Sequence, residues 1–254
     1  MRNRIIAGNW KMNHNLEEAK SFISELTSSI ADIKINGVEL LIAPASLFLI
    51  PLKELSTNSV VKIGSQDVSS QEKGAFTGEI SAGMLKSISS DFSIIGHSER
   101  RSYHKESDSL IREKLIKLYE NDIRPIVCVG ETLEQREAAI TEEIVLTQLE
   151  GCFKDIDVPQ HLDTVIAYEP VWAIGTGKTA SPEQAEEVHA LIRKWITDKY
   201  GVKCAQAICI LYGGSVKPAN IAELLSKENI DGGLIGGAAL KVDSYLEMVK
   251  IANK

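Results

Sequence analysis

The chain lacks a stretch able to cross a bilayer as a helix. Its most apolar run, Leu40 to Leu52, is interrupted by Pro44, Ser46 and Pro51 and is too short to span. The amino-terminal MRNRIIAGNWK has no apolar region of signal-peptide length, because Asn9, Trp10 and Lys11 break it early. Cysteine is sparse: Cys128, Cys152, Cys204 and Cys209 form no C-x-x-C pair, which argues against a disulfide framework or a zinc site. These absences predict a cytoplasmic protein with no membrane partner. Basic charge is also short, with 28 Lys and Arg against 35 Asp and Glu, a net charge of −7. A nucleic-acid partner needs a basic footprint, so none is expected. A small anionic ligand stays admissible, since a local field can oppose the net charge. The five histidines show neither H-x-x-H nor H-E-x-x-H spacing, so no metal is predicted.

What is present is ordinary for a globular chain. Hydrophobic residues make up 44% and charged residues 25%, which excludes a disordered composition. No linker, charge block or low-complexity segment divides the sequence, so residues 1–254 are expected to form one domain. Short apolar runs alternate with longer amphipathic segments. The runs predict strands at Arg4–Asn9, Val38–Ala43, Lys62–Ser65, Phe92–Gly96, Arg124–Val129, Thr164–Glu169, Ala207–Tyr212 and Gly233–Gly236. Most are rich in Val, Ile and Leu on both faces, as buried parallel strands are. Helical spacing follows between them. Examples are Ala19, Ile23, Leu26 and Ile30; Ile111, Leu115 and Leu118; and Ala185, Val188, Ile192 and Trp195. Ser181 with Gln184, Thr132 with Gln135, and Asn220 with Glu223 read as helix starts, the first with Pro182 at the first helical position.

Eight strands, each followed by a helical pattern, are the arithmetic of an α/β fold of the (β/α)8 barrel type. A doubly wound sheet would need a glycine-rich nucleotide loop after its first strand, and Ala7-Gly8-Asn9-Trp10-Lys11 is not one. In such a barrel the site lies where strands end. Strand 1 ends in Asn9 and Lys11, strand 4 in Gly96-His97-Ser98-Glu99, and strand 6 in Tyr168-Glu169-Pro170. Strand 7 ends in Gly213-Gly214-Ser215 and strand 8 in Gly236-Gly237. Glu169 closes the apolar run Val165-Ile166-Ala167, so burial should raise its pKa and make it a better base. His97 opens a short helical stretch, and a helix N-terminus should lower its pKa. His14, His104, His161 and His189 are read as structural. The glycine turns after strands 7 and 8 offer backbone N–H groups to a phosphate. Gly175-Thr176-Gly177-Lys178-Thr179 ends like a Walker A loop, but Trp172 stands where that pattern needs glycine. With Pro170 to Ile174 before it, the segment reads as a lid with a stiff tip and a glycine-rich edge.

AGNWKMN (7–13), GAFTGE (74–79), IGHSERR (95–101), CVGETLEQRE (128–137), AYEPVWAIGTGKT (167–179) and YGGSVKPAN (212–220) occur in order, each at or near a strand end. With them the whole chain resembles the triosephosphate isomerase family. One departure is Ala239 in Gly236-Gly237-Ala238-Ala239-Leu240, where that pattern leads one to expect serine. The resemblance implies an aldose–ketose isomerase of glycolysis and gluconeogenesis, working without a cofactor on a small phosphorylated triose. It implies Glu169 as general base, a neutral His97 as electrophile, and Lys11 and Asn9 at the substrate oxygens. Gly175, Ser215, Gly236 and Gly237 would hold the phosphate. Glu99 would orient Lys11, and Ser98 would hold Glu169 in an open state. GAFTGE would be an interface loop carrying Thr77 into the neighbouring site of a homodimer. Two alternatives are a Schiff-base aldolase, which needs a desolvated lysine inside the barrel, and an inactive barrel kept for binding.

Overall fold

The computed structural model describes residues 2–157, 164–174 and 180–253. Eight parallel strands run β1 (Arg4–Asn9), β2 (Val38–Ala43), β3 (Val61–Ile63), β4 (Phe92–Ile95), β5 (Arg124–Val129), β6 (Val165–Tyr168), β7 (Cys209–Tyr212) and β8 (Gly232–Ile235). Their order in the sheet is β3-β2-β1-β8-β7-β6-β5-β4. The two ends of that list meet through a parallel bridge between Ser65 and Ser93. There Ser65 N–H donates to Phe92 O at 3.0 Å and Ile94 N–H donates to Ser65 O at 2.9 Å, so the sheet closes into a (β/α)8 barrel.

Side chains alternate along each strand, and this parity builds two cores. Inward residues such as Ile5, Ala7, Leu41, Ile126, Val165 and Leu211 fill the lumen. Outward residues such as Ile6, Leu40, Ile95, Val127, Ile166 and Ile210 pack under the helices. The helices are α1 (Leu16–Ile30), α2 (Leu49–Ser56), α3 (Ala82–Ser87), α4 (Ser98–Tyr103), α5 (Asp108–Glu120), α6 (Leu133–Glu137), α7 (Thr141–Cys152), α8 (Pro182–Ala207), α9 (Pro218–Leu224) and α10 (Val242–Ala252). The apolar spacings predicted for α1, α5 and α8 all lie on buried faces.

Several boundaries differ from the sequence reading. Strand β3 ends at Ile63, two residues short of Ser65, because only the single bridge continues the pairing. Strand β7 starts at Cys209, because Ala207 is taken into the end of α8, past a break at Gly201. The break needs φ +84°, a left-handed value that glycine takes without strain. Strands β4 and β6 stop before Gly96 and Glu169, which bend out to form the rim, and β8 is shifted by one residue to Gly232–Ile235. Ser181 with Gln184 and Thr132 with Gln135 do form reciprocal capping boxes. Asn220 does not start α9; it lies inside it, and its Oδ1 accepts from Lys217 N–H at 2.8 Å. Helix α9 starts instead at Pro218, whose missing N–H costs nothing at that position.

Candidate functional site

Parity carries two of the polar side chains to the rim. On β1, Ile5 and Ala7 point inward, and Asn9 is the next residue of that face. On β6, Val165 and Ala167 point inward, and Glu169 follows them. Both side chains are buried, Glu169 at 2% exposure. They border a cavity of about 330 Å³ at the carboxyl ends of the strands, shared with Lys11, His97, Ser215 and Gly236. Its remaining wall includes Glu99, Ile174, Lys217, Leu234 and Gly237. The size suits a small metabolite.

Lys11 sits at φ +53°, a left-handed value unusual for a side chain of its length. Asn9 Oδ1 accepts its N–H at 3.0 Å, and Gln66 Nε2 donates to its carbonyl at 2.8 Å and to Ala43 O at 2.9 Å. The bent backbone is thus held from both sides. The Lys11 ammonium reaches Glu99 Oε1 at 2.6 Å.

His97 caps α4. Glu99 N–H donates to its Nδ1 at 3.2 Å, which leaves the ring proton on Nε2, and Nε2 lies 2.9 Å from Glu169 Oε1. A ring that accepts at one nitrogen and donates from the other is neutral. The other oxygen of Glu169, Oε2, accepts from Ser98 N–H at 2.9 Å. The main chain of Ser98, not its hydroxyl, makes this contact.

The electrostatics correct both pKa expectations for this arrangement. Burial pushes Glu169 up, but His97, the Ser98 N–H and Lys11 outweigh it and hold the carboxyl below its ordinary value. Burial pushes His97 down, but the Glu169 carboxylate outweighs it and raises the imidazole. The His97–Glu169 contact is the largest opposing cause in both shifts. With Glu169 moved off the ring, burial and Lys11 favour the neutral imidazole, and only Glu99, itself paired with Lys11, opposes them.

Glycines shape the space around Glu169. A Cβ on Gly130 would fall 1.7 Å from Glu169 O, and one on Gly213 would fall 2.8 Å from Glu169 Cγ. Gly236 and Gly237 open a 3-10 turn (Gly237–Leu240) at the end of β8 and face the same cavity as Ser215. Gly175, and with it the glycine-rich edge of the expected lid, lies outside the described residues, as does His161. Of the stiff part, Val171–Ala173 forms a 3-10 turn anchored on buried Glu131. Val171 N–H donates to Glu131 O at 3.0 Å, and Trp172 Nε1 to Glu131 Oε1 at 2.9 Å. Thr77 is exposed and lies outside this cavity. Among the described residues no cluster of three or more His, Cys, Asp or Glu could hold a metal ion. No described helix is long and apolar enough to cross a membrane.

Sequence reading did not single out Gln66, Glu131, Lys217 or Gly130. Gln66 follows β3 by three residues, so the strand-end rule that found Asn9 would have reached it. Glu131 follows β5 by two.

The triosephosphate isomerase family model matches residues 4–252. The triosephosphate isomerase of Lactiplantibacillus plantarum is 46% identical over 253 residues, covering 100% of both chains. That of Thermus thermophilus is 46% identical over 252 residues, covering 99% of this chain and 100% of its own. That of Clostridium novyi is 44% identical over 249 residues, with 98% of each chain covered. The rim that brings Lys11, His97 and Glu169 to one cavity at the strand ends is therefore carried on a full-length match, and the chain belongs to the triosephosphate isomerase family.

Proposed function

We propose that this cavity interconverts D-glyceraldehyde 3-phosphate and dihydroxyacetone phosphate, with Glu169 as the base that moves a proton between C1 and C2. The observation that carries the assignment is the convergence of a buried carboxylate, a neutral imidazole and an ammonium on one small cavity. The shift of a carbonyl to the neighbouring carbon needs only these parts: a base at the acidic C–H, electrophiles at two adjacent oxygens, and an anchor for the phosphate. Glu169 takes the proton from one carbon, leaving an enediolate. His97 Nε2–H polarises the carbonyl and passes protons between the oxygens, while Lys11 offsets the charge that develops and Asn9 supports it. Returning the proton to the other carbon completes the reaction and restores the carboxylate.

The phosphate is assigned to the backbone N–H groups of Ser215, Gly236, Gly237 and Gly175, which tolerate Ala239 because no side chain is involved. Lys11 belongs to this scheme and not to an aldolase. Its ammonium is paired with Glu99 at 2.6 Å, and a Schiff-base lysine must lose its proton. The chain is further assigned to a homodimer through Gly74–Glu79, where Phe76 is 45% exposed and Thr77 would reach the neighbouring site.

Glu169→Asp tests the assignment. It keeps the charge and withdraws it by about one methylene, and a misplacement of about 1 Å costs about 10²-fold in rate. The expected result is a loss of that size in kcat, with binding of an unreactive phosphate analogue nearly unchanged. A kcat within about threefold of wild type removes Glu169 from the role of base.

A further inference from the structure

His189 is buried at 0% exposure on α8 and lies outside the lining of the cavity. Its Nδ1 sits 3.1 Å from the carbonyl of Asn229, in the segment between α9 and β8. Asn229 is fixed from the same helix one turn earlier: its N–H donates to Glu186 Oε2 at 3.1 Å, and its Nδ2 to Glu186 Oε1 at 2.8 Å. The imidazole therefore has its plane set by a carbonyl that is itself held in place. With Nδ1–H as the donor, the ring is neutral, and burial keeps it so by pushing the pKa down to about 3. Its Nε2 is buried without a hydrogen-bond partner among the described residues. A hydrocarbon side chain would fill this place at lower desolvation cost. The ring's geometry is what a hydrocarbon would not reproduce.

That geometry addresses two tyrosines. His189 stands edge-on to Tyr168, with centroids 5.9 Å apart and planes at 84°, and tilted against Tyr212 at 6.4 Å. Tyr168 and Tyr212 are register partners at the ends of β6 and β7. Tyr168 immediately precedes Glu169, and its carbonyl accepts from Gly213 N–H at 2.7 Å. Its hydroxyl donates to Glu131 Oε1 at 3.1 Å, the same oxygen that receives Trp172 Nε1. A shift of Tyr168 as a whole would thus move both the main chain that leads into Glu169 and the Glu131 anchor of Val171–Ala173.

We propose that His189 is a positioning residue for the isomerisation: its ring, oriented by Asn229, locks Tyr168 and Tyr212 and so fixes where Glu169 leaves the barrel wall. This rests on the assignment of Glu169 as the base. His189 touches no substrate in this scheme, so its effect belongs in kcat and not in binding.

The test measures kcat and KM of His189→Leu and His189→Gln beside wild type in a coupled isomerase assay, with thermal unfolding of each. Leucine keeps the bulk and removes the donor; glutamine restores a donor for Asn229 O. The expected result is a kcat about tenfold lower for the leucine variant at a KM within about twofold of wild type, and recovery to within about threefold for glutamine. A folded leucine variant with unchanged kcat overturns the proposal. So does a glutamine variant as impaired as leucine, which would reduce His189 to packing. If the leucine variant does not fold, Glu186→Ala frees Asn229 from the partly exposed side. A kcat about threefold lower at unchanged KM then supports the proposal, and an unchanged kcat overturns it. Glu169→Asp in the same assay separates the two readings: if it retains kcat, the assignment of the base fails, whatever His189 does.

Discussion

Replacing Gly213 by alanine should disable the site without touching a group that performs chemistry. The added Cβ would lie 2.8 Å from Glu169 Cγ and 3.2 Å from Tyr168 O. Carbon atoms in contact prefer about 3.5–4.0 Å, so one side must give by about 0.7 Å or more. The backbone has little freedom to do so. Gly213 N–H is tied to Tyr168 O at 2.7 Å, and Glu169 N–H to Val129 O at 2.8 Å. On the far side the Glu169 main chain already packs so tightly on Gly130 that no Cβ fits there. The Glu169 side chain must therefore yield at Cγ, the joint that aims the carboxylate, so the carboxylate is misplaced both in its resting contact with His97 Nε2 and Ser98 N–H and after it leaves them. If about 1 Å of misplacement costs about 10²-fold, then about 0.7 Å costs on the order of 30-fold, or about 2 kcal/mol in the barrier. The folding cost of one extra methyl in a packed region is about 1–3 kcal/mol, so the barrel persists. Steady-state kinetics with a thermal melt on the same sample decides it. A folded Gly213→Ala protein with kcat within threefold of wild type would refute the claim that the missing side chain at 213 positions the base.

Two further outcomes follow from other contacts. Gln66→Leu removes the amide that bridges Lys11 O and Ala43 O; Ala43 O keeps Trp10 N–H, but Lys11 O is left unpaired at about 1–3 kcal/mol, and the φ +53° backbone of Lys11 then keeps only its bond to Asn9. A kcat/KM at least tenfold lower is expected, and an unchanged value with normal folding would mean that Asn9 alone holds the bend. The second concerns pH. His189 is held down to about 3 from an ordinary 6.5, so below pH 6.5 the unfolded chain binds a proton that the folded chain refuses until about pH 3. The stability is complete above pH 6.5 and is lost as pH falls, at about 1.4 kcal/mol per unit. Urea unfolding at pH 7 and pH 5 should show wild type losing about 2 kcal/mol more than His189→Gln, and equal losses would contradict the burial argument.

The barrel was legible because its strands are covered on both faces, by the lumen and by the helices. Continuous apolar runs such as Ile5-Ile6-Ala7 and Ile126-Val127-Cys128 therefore stand out from the amphipathic helices. The limits of β1, β2 and β5 could be read directly, since β1 and β2 pair with each other over all six residues and every residue of β5 is paired on at least one side. Strand β3 pairs in a ladder on one side only, so its end depends on a bridge to Ser93 that no local pattern announces. The start of β7 was misplaced because the chain after Gly201 returns to helix, which nothing in Ala205 to Ala207 forbids. At the site, the residues at strand ends were legible and their mutual contacts were not. Glu169 and Ser98 are 71 residues apart in sequence and 2.9 Å apart in the fold. The His97 contact, with Ser98 N–H and Lys11 beside it, reverses the direction in which Glu169 was expected to shift.

The reversal bears on how the proposed base works. In this arrangement three donors or cations favour the Glu169 anion: His97 Nε2–H, Ser98 N–H and, at longer range, Lys11. A carboxylate so stabilised is a poor proton acceptor. The same burial that those groups overcome is still present, and it is opposed by less once His97 and Ser98 are withdrawn. Moving Glu169 off His97 therefore does two things together. It raises the basicity of the carboxylate, because desolvation is then offset by less, and it frees the Nε2–H of His97 for a substrate oxygen. Both changes require that water not replace the lost donors. Ile174 and Leu234, which face the same cavity, supply apolar surface for that purpose. On this view the resting contact between His97 and Glu169 keeps each group in its less reactive form, and the base and the electrophile are released by one displacement of one side chain.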